Sequence, residues 1–207
     1  MNSRARRHWD TVYREKGPAR VSWFRPHLER SLHYLEAASL PRDAAILDVG
    51  GGASTFVDDV LDRGYRNVAV LDLSETALSV ARERLGTRGA GVRWISADVT
   101  DPTLSEGPID FWHDRAVFHF LGEPEARARY VENSRRLVRP GGHILVATFG
   151  PHGPSTCSGL DVVRYSPESL HTEFGRDFAK VGEATETHVT PWGTEQEFIY
   201  CYCRLRS

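Results

Sequence analysis

Hydrophobic positions along the chain follow two periodicities. Short apolar runs bounded by glycine or aspartate indicate buried strands, and the stretches between them show the three-to-four-residue spacing of helices. Strands are predicted at residues 45–49, 68–71, 92–95, 109–112 and 143–148, and helices at 4–16, 27–38, 55–64, 74–85, 124–138 and 167–174. Because helices separate the strands, the pattern predicts βαβ units and a parallel sheet.

The C-terminal third of the chain breaks this rhythm. Residues 178–188 and 196–205 are both strand-like, and a turn at 190–193 separates them. Strands joined so closely pair antiparallel. We therefore predict an α/β fold of three layers, with a mostly parallel sheet that ends in an antiparallel hairpin. Residues 1–40 are predicted to form a helical cap or lid, and residues 41–207 the main domain.

Composition and charge narrow the class of protein. The 207 residues favour a single domain with a modest extension. With 26 basic and 28 acidic residues the formal net charge is −2, which gives no support for a nucleic-acid or membrane partner. The three cysteines do not make a disulfide framework, so a reducing, cytoplasmic location is expected. We expect a monomer or a weak homodimer.

A glycine-rich loop follows the first predicted strand. Asp48 lies near the end of this strand, and Gly50, Gly51 and Gly52 come directly after it. Glycines let the backbone turn sharply and let a ligand approach without a Cβ in the way. The helix N-terminus after such a loop can hold a carboxylate or a phosphate. A turn without a ligand is the alternative, and the loop alone leaves it open.

Residues near this loop distinguish between the possible classes of ligand. Thr55 stands where the dinucleotide pattern has glycine or alanine, which disfavours NAD, and no Gly-Lys-Ser/Thr follows, which excludes a P-loop. Asp72 ends the second strand, twenty residues after Gly52, where a carboxylate can accept both hydroxyls of a ribose. Asp98 lies at the corresponding end of the third strand. Acids at three consecutive strand ends form one electronegative rim.

These motifs resemble the class I S-adenosylmethionine-dependent methyltransferases over residues 40–206. Leu47-Asp48-Val49-Gly50-Gly51-Gly52 is similar to that family's first motif, with Ser54 in place of its last glycine, and residues 137–142 are similar to the motif that introduces its fifth strand. The resemblance implies a Rossmann-like, seven-stranded sheet, S-adenosyl-L-methionine as cofactor and S-adenosyl-L-homocysteine as product. The implied cofactor-binding residues are Trp9, Tyr13, Trp23, Asp48, Gly50, Gly51, Gly52, Ser54, Asp72, Leu73, Ala97, Asp98, Val99 and His113.

Aromatic residues are concentrated in the N-terminal segment. Trp9, Tyr13, Trp23 and Phe24 can close over a sulfonium cation, which aromatic faces and carboxylates stabilise. Packing of the first helix onto the sheet is the alternative explanation for the same residues. The sequence around them also resembles a subgroup that includes small protein lysine methyltransferases.

The end of the fourth strand is the expected acceptor site. The resemblance places His113 and Asp114 beside the transferring methyl group, where they can serve as a general base and its orienting group. Arg115 can bind an acidic substrate or pair with Asp114. His119 is a further candidate, with packing in a short helix as the alternative.

The loop after the fifth strand supplies a second group of acceptor candidates. Cys157 can hold a soft acceptor such as a metalloid through its thiolate, or it is a small loop residue without chemistry. Tyr165 can line the same pocket. Cys201 and Cys203 share one face of a strand, where core packing is the stronger interpretation. The sequence offers no metal site.

The predicted function is methyl transfer from S-adenosylmethionine to an N, O or S nucleophile of a small molecule. A protein lysine acceptor is the alternative that the N-terminal resemblance supports. A non-catalytic module that binds the cofactor or a nucleotide and an NAD-dependent oxidoreductase are further alternatives. Detectable cofactor turnover excludes the first of these, and Thr55 argues against the second.

Overall fold

The computed structural model describes residues 3–17 and 20–206. The main sheet contains β1 (Ala45–Val49), β2 (Asn67–Asp72), β3 (Arg93–Ser96), β4 (Ile109–Arg115), β5 (Val138–Phe149), β8 (Phe178–Val189) and β9 (Glu195–Leu205), while β6 (Thr156–Cys157) and β7 (Leu160–Asp161) form a separate two-stranded sheet. The α-helices are α1 (Ser3–Lys16), α2 (Glu29–Ala37), α3 (Phe56–Asp62), α4 (Glu75–Leu85), α5 (Pro124–Leu137) and α6 (Pro167–Phe174). Single-turn 3₁₀ helices occupy residues 86–89, 118–120 and 175–177.

The main sheet has the strand order β3-β2-β1-β4-β5-β9-β8. The strands β1 to β5 are parallel to their neighbours, and β9 pairs antiparallel with both β5 and β8. The chain winds outward from β1 to β3 and then returns to β4, so the winding direction reverses between β1 and β4. In such sheets ligands bind beyond the carboxyl ends of the strands at this reversal. The predicted parallel sheet with a C-terminal hairpin is confirmed.

Two strands extend three or more residues beyond their predicted ranges, and one short pair of strands was not predicted. β4 continues to Arg115, which pairs with Ala147 of β5, because the polar residues at its end remain part of the sheet. β5 begins at Val138, opposite Ile109, and a shift in register before Phe111 accommodates the glycines that follow Val138. β6 and β7 have two residues each, which is too short for any alternation to show in the sequence.

Helices cover both faces of the sheet, and all five residues of β1 are buried. One face packs against α5 and α6 through residues such as Trp112 and Tyr130, and the other packs against α2 and α3 through Phe56 and Phe111. This is the predicted three-layer arrangement. Among the described residues, no helix combines the length and the apolar character that a membrane span requires.

Helix α1 is fixed to the N-terminus of α4, beside the carboxyl end of β2. Asp10 Oδ1 accepts hydrogen bonds from Ser74 Oγ (2.6 Å) and from Thr76 N (3.4 Å). Ser74 Oγ in turn accepts from Ala77 N (3.1 Å), so Ser74 caps α4 as its position in the sequence predicted. The division of the chain at residue 40 stays a prediction.

Candidate functional site

The loop after β1 brings the backbone close to the end of β2. Gly50 and Gly52 have φ angles of +65° and +40°, in the left-handed region that favours glycine. Gly50 N donates a hydrogen bond to Leu71 O (2.6 Å), which ties the loop to β2. A Cβ on Gly52 would lie 2.7 Å from Asp72 Oδ2. The loop therefore requires glycine at this position, and it leaves space for a ligand beside the Asp72 carboxylate.

Asp72 ends β2 and is 8% exposed. Its Oδ1 accepts a hydrogen bond from Ser74 N (2.7 Å), while Oδ2 faces Gly52. Burial, reinforced by the charges of Asp48 and Asp10, raises the pKa of this carboxyl to about 7, although backbone hydrogen bonds act in the opposite direction. A ligand that donates hydrogen bonds to the carboxylate would replace the hydration it lacks, and a ribose diol has that chemistry.

His113 of β4 contacts Asp48 of β1, and its side chain does not line the large cavity described below. Its Nδ1 shares a hydrogen bond with Asp48 Oδ1 (2.7 Å) and its Nε2 with Ser31 Oγ (2.9 Å). The ring stacks on Phe56 with the centroids 3.9 Å apart. Both ring nitrogens are thus occupied, so the position predicted for a general base is a structural one. Asp48 Oδ2 is buried without a partner among the described residues and is directed at Gly51.

Asp114 also lies outside the cavity, on the opposite face of the sheet. Its carboxylate accepts hydrogen bonds from Val117 N (2.9 Å), Phe118 N (3.2 Å) and Tyr130 Oη (2.7 Å). Burial raises its pKa to about 7 in spite of these hydrogen bonds. Asp114 therefore holds the turn after β4, and its hydrogen bonds go to groups other than His113.

Two further predicted acceptor residues are packed in the core. His119 Nδ1 accepts a hydrogen bond from Phe149 N (3.3 Å), and burial lowers the pKa of this histidine to about 3. Tyr165 packs against Phe118 and donates a hydrogen bond to Glu173 Oε1 (3.3 Å). Neither side chain lines the cavity. His119 is therefore packed in the core, as the alternative interpretation predicted. Tyr165 packs behind the loop that follows β5 instead of facing the cavity.

A cavity of about 730 Å³ opens beyond the carboxyl ends of β1 to β4. The predicted site residues that line it are Trp9, Tyr13, Trp23, Gly50, Asp72, Leu73, Ala97, Asp98, Val99, Arg115 and Cys157. Asp48, Gly51, Ser54 and His113 instead line a recess of about 30 Å³ behind the glycine loop.

Several residues that line the cavity were missed from the sequence. They are Arg4, Ala5, His8, Val49, Leu71, Thr100, Ala116, Val117, Phe120, Leu121, Gly122, Glu123, Ala126, Gly159, Leu160 and Asp161. Most belong to the segment after β4 or to the β6–β7 sheet. For the residues of these two segments, the position directly after a strand end was the available signal, but most of them are apolar or small and carry no distinctive chemistry.

An aromatic cluster of Trp9, Tyr13, Trp23 and Phe120 forms one wall of the cavity. Trp9 contacts Trp23 and Phe120 edge to face, with centroid distances of 5.9 and 5.0 Å, and Tyr13 contacts Trp23 at 6.3 Å. Burial and the charge of Asp72 raise the pKa of Tyr13, which keeps its hydroxyl neutral. These rings therefore both pack α1 onto the domain and line the cavity, while their contact with a sulfonium cation stays a prediction.

Arg115 is buried at the end of β4 and is 9% exposed. Its Nη1 donates to Trp23 O (3.1 Å) and its Nε to Tyr200 Oη (3.3 Å), while the guanidinium carbon lies 4.2 Å from the centroid of Phe198. It forms no ion pair with Asp114, whose carboxylate is on the other face, so that predicted alternative does not hold.

The cysteines occupy two environments. Cys157 is buried and lines the cavity, near enough to Tyr13 to influence its hydroxyl. Cys201 and Cys203 are packed in the core with their sulfur atoms 3.4 Å apart. In the described part of the chain, no group of three His, Cys, Asp or Glu side chains is placed to hold a metal ion.

Comparisons with known proteins agree on one family. Residues 46–142 match the family model described as a methyltransferase domain. EEF1A lysine methyltransferase 2 of Danio rerio is 24% identical over 155 residues, which cover 68% of this chain and 66% of that protein, so the chain spans about two thirds of the length of this relative.

Two solved structures share the fold. A protein solved in a study of the conversion of a disulfide bond into a thioacetal group during echinomycin biosynthesis matches with a TM-score of 0.79 and 21% identity, over 97% of this chain and 91% of that chain. The N-methyltransferase NodS from Bradyrhizobium japonicum, in complex with S-adenosylhomocysteine, matches with a TM-score of 0.74 and 17% identity, over 97% and 99% of the two chains. The family model matches the glycine loop and the ends of β1 to β4 that surround the cavity, so this part of the chain is similar to methyltransferase domains and the fold is that of the S-adenosylmethionine-dependent methyltransferases.

Proposed function

We propose that the protein transfers the methyl group of S-adenosylmethionine to a small-molecule acceptor. The observation that carries this proposal is the cavity of about 730 Å³, which lies beneath α1 and beyond the strand ends. Its volume falls within the roughly 300–1,000 Å³ typical of small-molecule sites. It is lined by a buried acid, Asp72, by a buried arginine, Arg115, and by aromatic rings.

The cofactor fits the half of the cavity formed by β1, β2 and β3. The glycine loop leaves no Cβ between Gly52 and Asp72, and Asp72 has an oxygen directed at this gap. We assign the ribose hydroxyls to Asp72, the adenine to Ala97 and Asp98, and the methionine carboxylate to the glycine loop and the start of α3. When bound, the cofactor supplies an electrophilic methyl group on a sulfonium cation.

The chain's own contribution to transfer is alignment and exclusion of water. An in-line displacement needs the nucleophile held about 3 Å from the methyl carbon, and correct placement alone supplies much of the rate enhancement. The aromatic cluster excludes water from this point, and the ring faces stabilise a nearby cation. Because His113 and Asp114 are occupied by hydrogen bonds within the fold, we assign neither the role of a general base.

Residues 1–40 act in this proposal as a lid. Helix α1 supplies Trp9 and Tyr13 to the cavity, and the Asp10–Ser74 hydrogen bond (2.6 Å) connects the helix to α4. Trp23 follows α1 along the chain and contacts both of these rings. Movement of α1 away from α4 would therefore open the cavity to substrates.

Methylation of a protein lysine is the second candidate. Its support is the similarity to EEF1A lysine methyltransferase 2 of Danio rerio. It requires that a lysine side chain of a folded protein reaches the aromatic cluster past the exposed residues Glu123 and Asp161 at the rim.

Transfer of isotope-labelled methyl from S-adenosylmethionine into a cell extract tests both candidates. We expect label in the fraction of small molecules, and none when Asp72→Ala replaces the wild-type protein. Label confined to protein would refute the small-molecule proposal and favour the lysine acceptor. Absence of label, with S-adenosylhomocysteine still bound in calorimetry, would contradict the catalytic proposal and leave the cofactor site in place.

A further inference from the structure

Arg115 presents a buried positive charge that lacks a carboxylate partner. Its hydrogen bonds go to the Trp23 carbonyl and the Tyr200 hydroxyl, both uncharged groups. Its Nη2 is buried and has no hydrogen-bond partner among the described residues. No acidic side chain in the described part of the chain forms an ion pair with this guanidinium. Burial of an unpaired charge is costly. An anionic ligand in the cavity would supply the missing partner.

The guanidinium extends from β4 toward β9, and Arg115 also lines the recess behind the glycine loop. Arg115 belongs to β4, but its guanidinium stacks on Phe198 of β9, and β5 lies between these two strands. Asp72 and Asp98 lie at the ends of β2 and β3, on the other side of β1. The buried acid and the buried arginine therefore lie on strands at different sides of the reversal between β1 and β4, and we take the half of the cavity beyond β4, β5 and β9, toward which the guanidinium extends, as the acceptor half.

The remaining charges around the cavity are more exposed to solvent. The other charged residues that line it are Arg4, Asp72, Asp98, Glu123 and Asp161. Arg4, Glu123 and Asp161 are exposed at the rim, where water and salt screen their charges. Asp98 is half-buried and belongs to the cofactor half. Arg115 is thus the buried charge of the acceptor half among these lining residues.

Two buried histidines that feel the charge of Arg115 add no second charge. Burial, together with the charge of Arg115, lowers the pKa of His188 to about 4 and that of His119 to about 3. His188 shares a hydrogen bond with Ser22 O (2.6 Å), and its Nδ1 is buried without a partner in the described part of the chain. Both rings are neutral near pH 7 and offer the guanidinium no negative partner.

We propose that the methyl acceptor carries a carboxylate and that Arg115 binds it. The inference rests on the proposed small-molecule function and names the substrate class of the same site. A guanidinium matches a carboxylate geometrically and forms strong charge-assisted hydrogen bonds with it. A second cation placed at this end of the cavity would be repelled, so the site selects a carboxylate-bearing small molecule against a lysine ammonium.

Paired probes of equal shape and different charge test this inference. The protein is saturated with S-adenosylhomocysteine, and calorimetry measures the affinities of 3-phenylpropionate and its uncharged amide. We expect the carboxylate to bind at least about tenfold more tightly than the amide, as for a charge-assisted hydrogen bond. Arg115→Gln should abolish this preference. Arg4→Gln, which removes an exposed arginine from the same cavity, should retain it.

A second variant covers the case in which Arg115→Gln does not fold. Arg115→Lys keeps the positive charge but loses the paired N–H donors of the guanidinium. It should lower the preference for the carboxylate over the amide several-fold without abolishing it. Equal affinities for the two probes in the wild-type protein would overturn the inference. A preference that disappears in Arg4→Gln and persists in Arg115→Gln would overturn it as well.

Measurement of S-adenosylhomocysteine binding distinguishes failure of this inference from failure of the proposed function. Failure of the wild-type protein to bind S-adenosylhomocysteine would refute the proposed function, and the inference with it. Normal binding without a carboxylate preference would overturn the inference alone. If Arg115→Gln weakened S-adenosylhomocysteine but not 5′-methylthioadenosine, which lacks the carboxylate, then Arg115 would hold the cofactor's carboxylate and the inference would be overturned.

Discussion

Replacement of Gly52 by alanine tests the geometry of the cofactor site most directly. Gly52 has a φ angle of +40°, and a new Cβ would lie 2.7 Å from Asp72 Oδ2 and 3.2 Å from both the Ala77 Cβ and the Tyr13 hydroxyl. The left-handed backbone alone costs a non-glycine residue about 1–2 kcal/mol. The contact with Asp72 adds to this, because the carboxylate must move.

The expected loss of affinity follows from the hydrogen bonds that Asp72 offers. Hydrogen bonds to a charged group contribute about 1.5–3 kcal/mol. If Gly52→Ala displaces the carboxylate from the ribose, the dissociation constant of S-adenosylhomocysteine should rise roughly 10- to 150-fold, at 1.4 kcal/mol for each factor of ten. Isothermal calorimetry gives this constant, and thermal unfolding shows whether the variant is folded.

Gly64→Ala is the matched control for backbone strain. Gly64 has a φ angle of +83°, and a Cβ there would meet no atom within 4 Å. The control should lose stability to a degree similar to that of Gly52→Ala and should bind S-adenosylhomocysteine as the wild-type protein does. Wild-type affinity in a folded Gly52→Ala protein would show that the loop and Asp72 do not hold the cofactor, and the assignment of the site would be wrong.

Three further predictions concern the carboxylates of Asp72, Asp10 and Asp114. Affinity for S-adenosylhomocysteine should weaken as the pH falls through about 7, because the pKa of ligand-free Asp72 is raised to about 7 and the protonated form accepts fewer hydrogen bonds. Calorimetry across pH checks this, and Asp72→Asn should lose the pH dependence. Asp10→Ala removes the acceptor of Ser74 Oγ and should raise the KM for S-adenosylmethionine roughly tenfold by freeing α1, whereas an unchanged KM would exclude the lid. The free energy of unfolding, measured with urea, should fall as the pH rises through about 7. The reason is that folding raises the pKa of Asp114 from 3.8 to about 7, so its contribution is complete only below the unfolded value; Asp114→Asn should flatten this slope.

The elements that the sequence predicts well are those in which local pattern and burial agree. β1 is bounded by polar residues before it and by Gly50 after it, and its predicted range matches the structure. α6 begins after Ser166, which forms a capping box with Ser169, and it too was predicted with the observed bounds. The position of Asp72 at the end of a predicted strand also placed it correctly at the cavity. To predict a ligand site at the carboxyl edge of a sheet, only the order of the strands must be known.

The acceptor side was harder to predict because it depends on which face of β4 each side chain occupies. Adjacent residues of a strand point to opposite faces, so His113 and Asp114 cannot meet as a catalytic pair, and this periodicity was visible in the sequence. The register was not visible. The register places His113 beside Asp48 of β1, and their side chains share a hydrogen bond. The side chain of Arg115 extends across β5 and contacts the ring of Phe198.

The aromatic cluster and Arg115 favour different acceptors, and magnitudes decide between them. Ring faces such as those of Trp9 and Trp23 attract a cation by about 0.5–2 kcal/mol. A lysine ammonium about 5 Å from Arg115 would be repelled by roughly 3 kcal/mol at an effective dielectric constant of about 20. At these magnitudes the repulsion exceeds the attraction, so the proposed site accommodates a lysine ammonium less well than a carboxylate. A carboxylate-bearing small molecule avoids the repulsion and supplies the counter-charge, while the rings remain available to the cationic sulfonium of the cofactor.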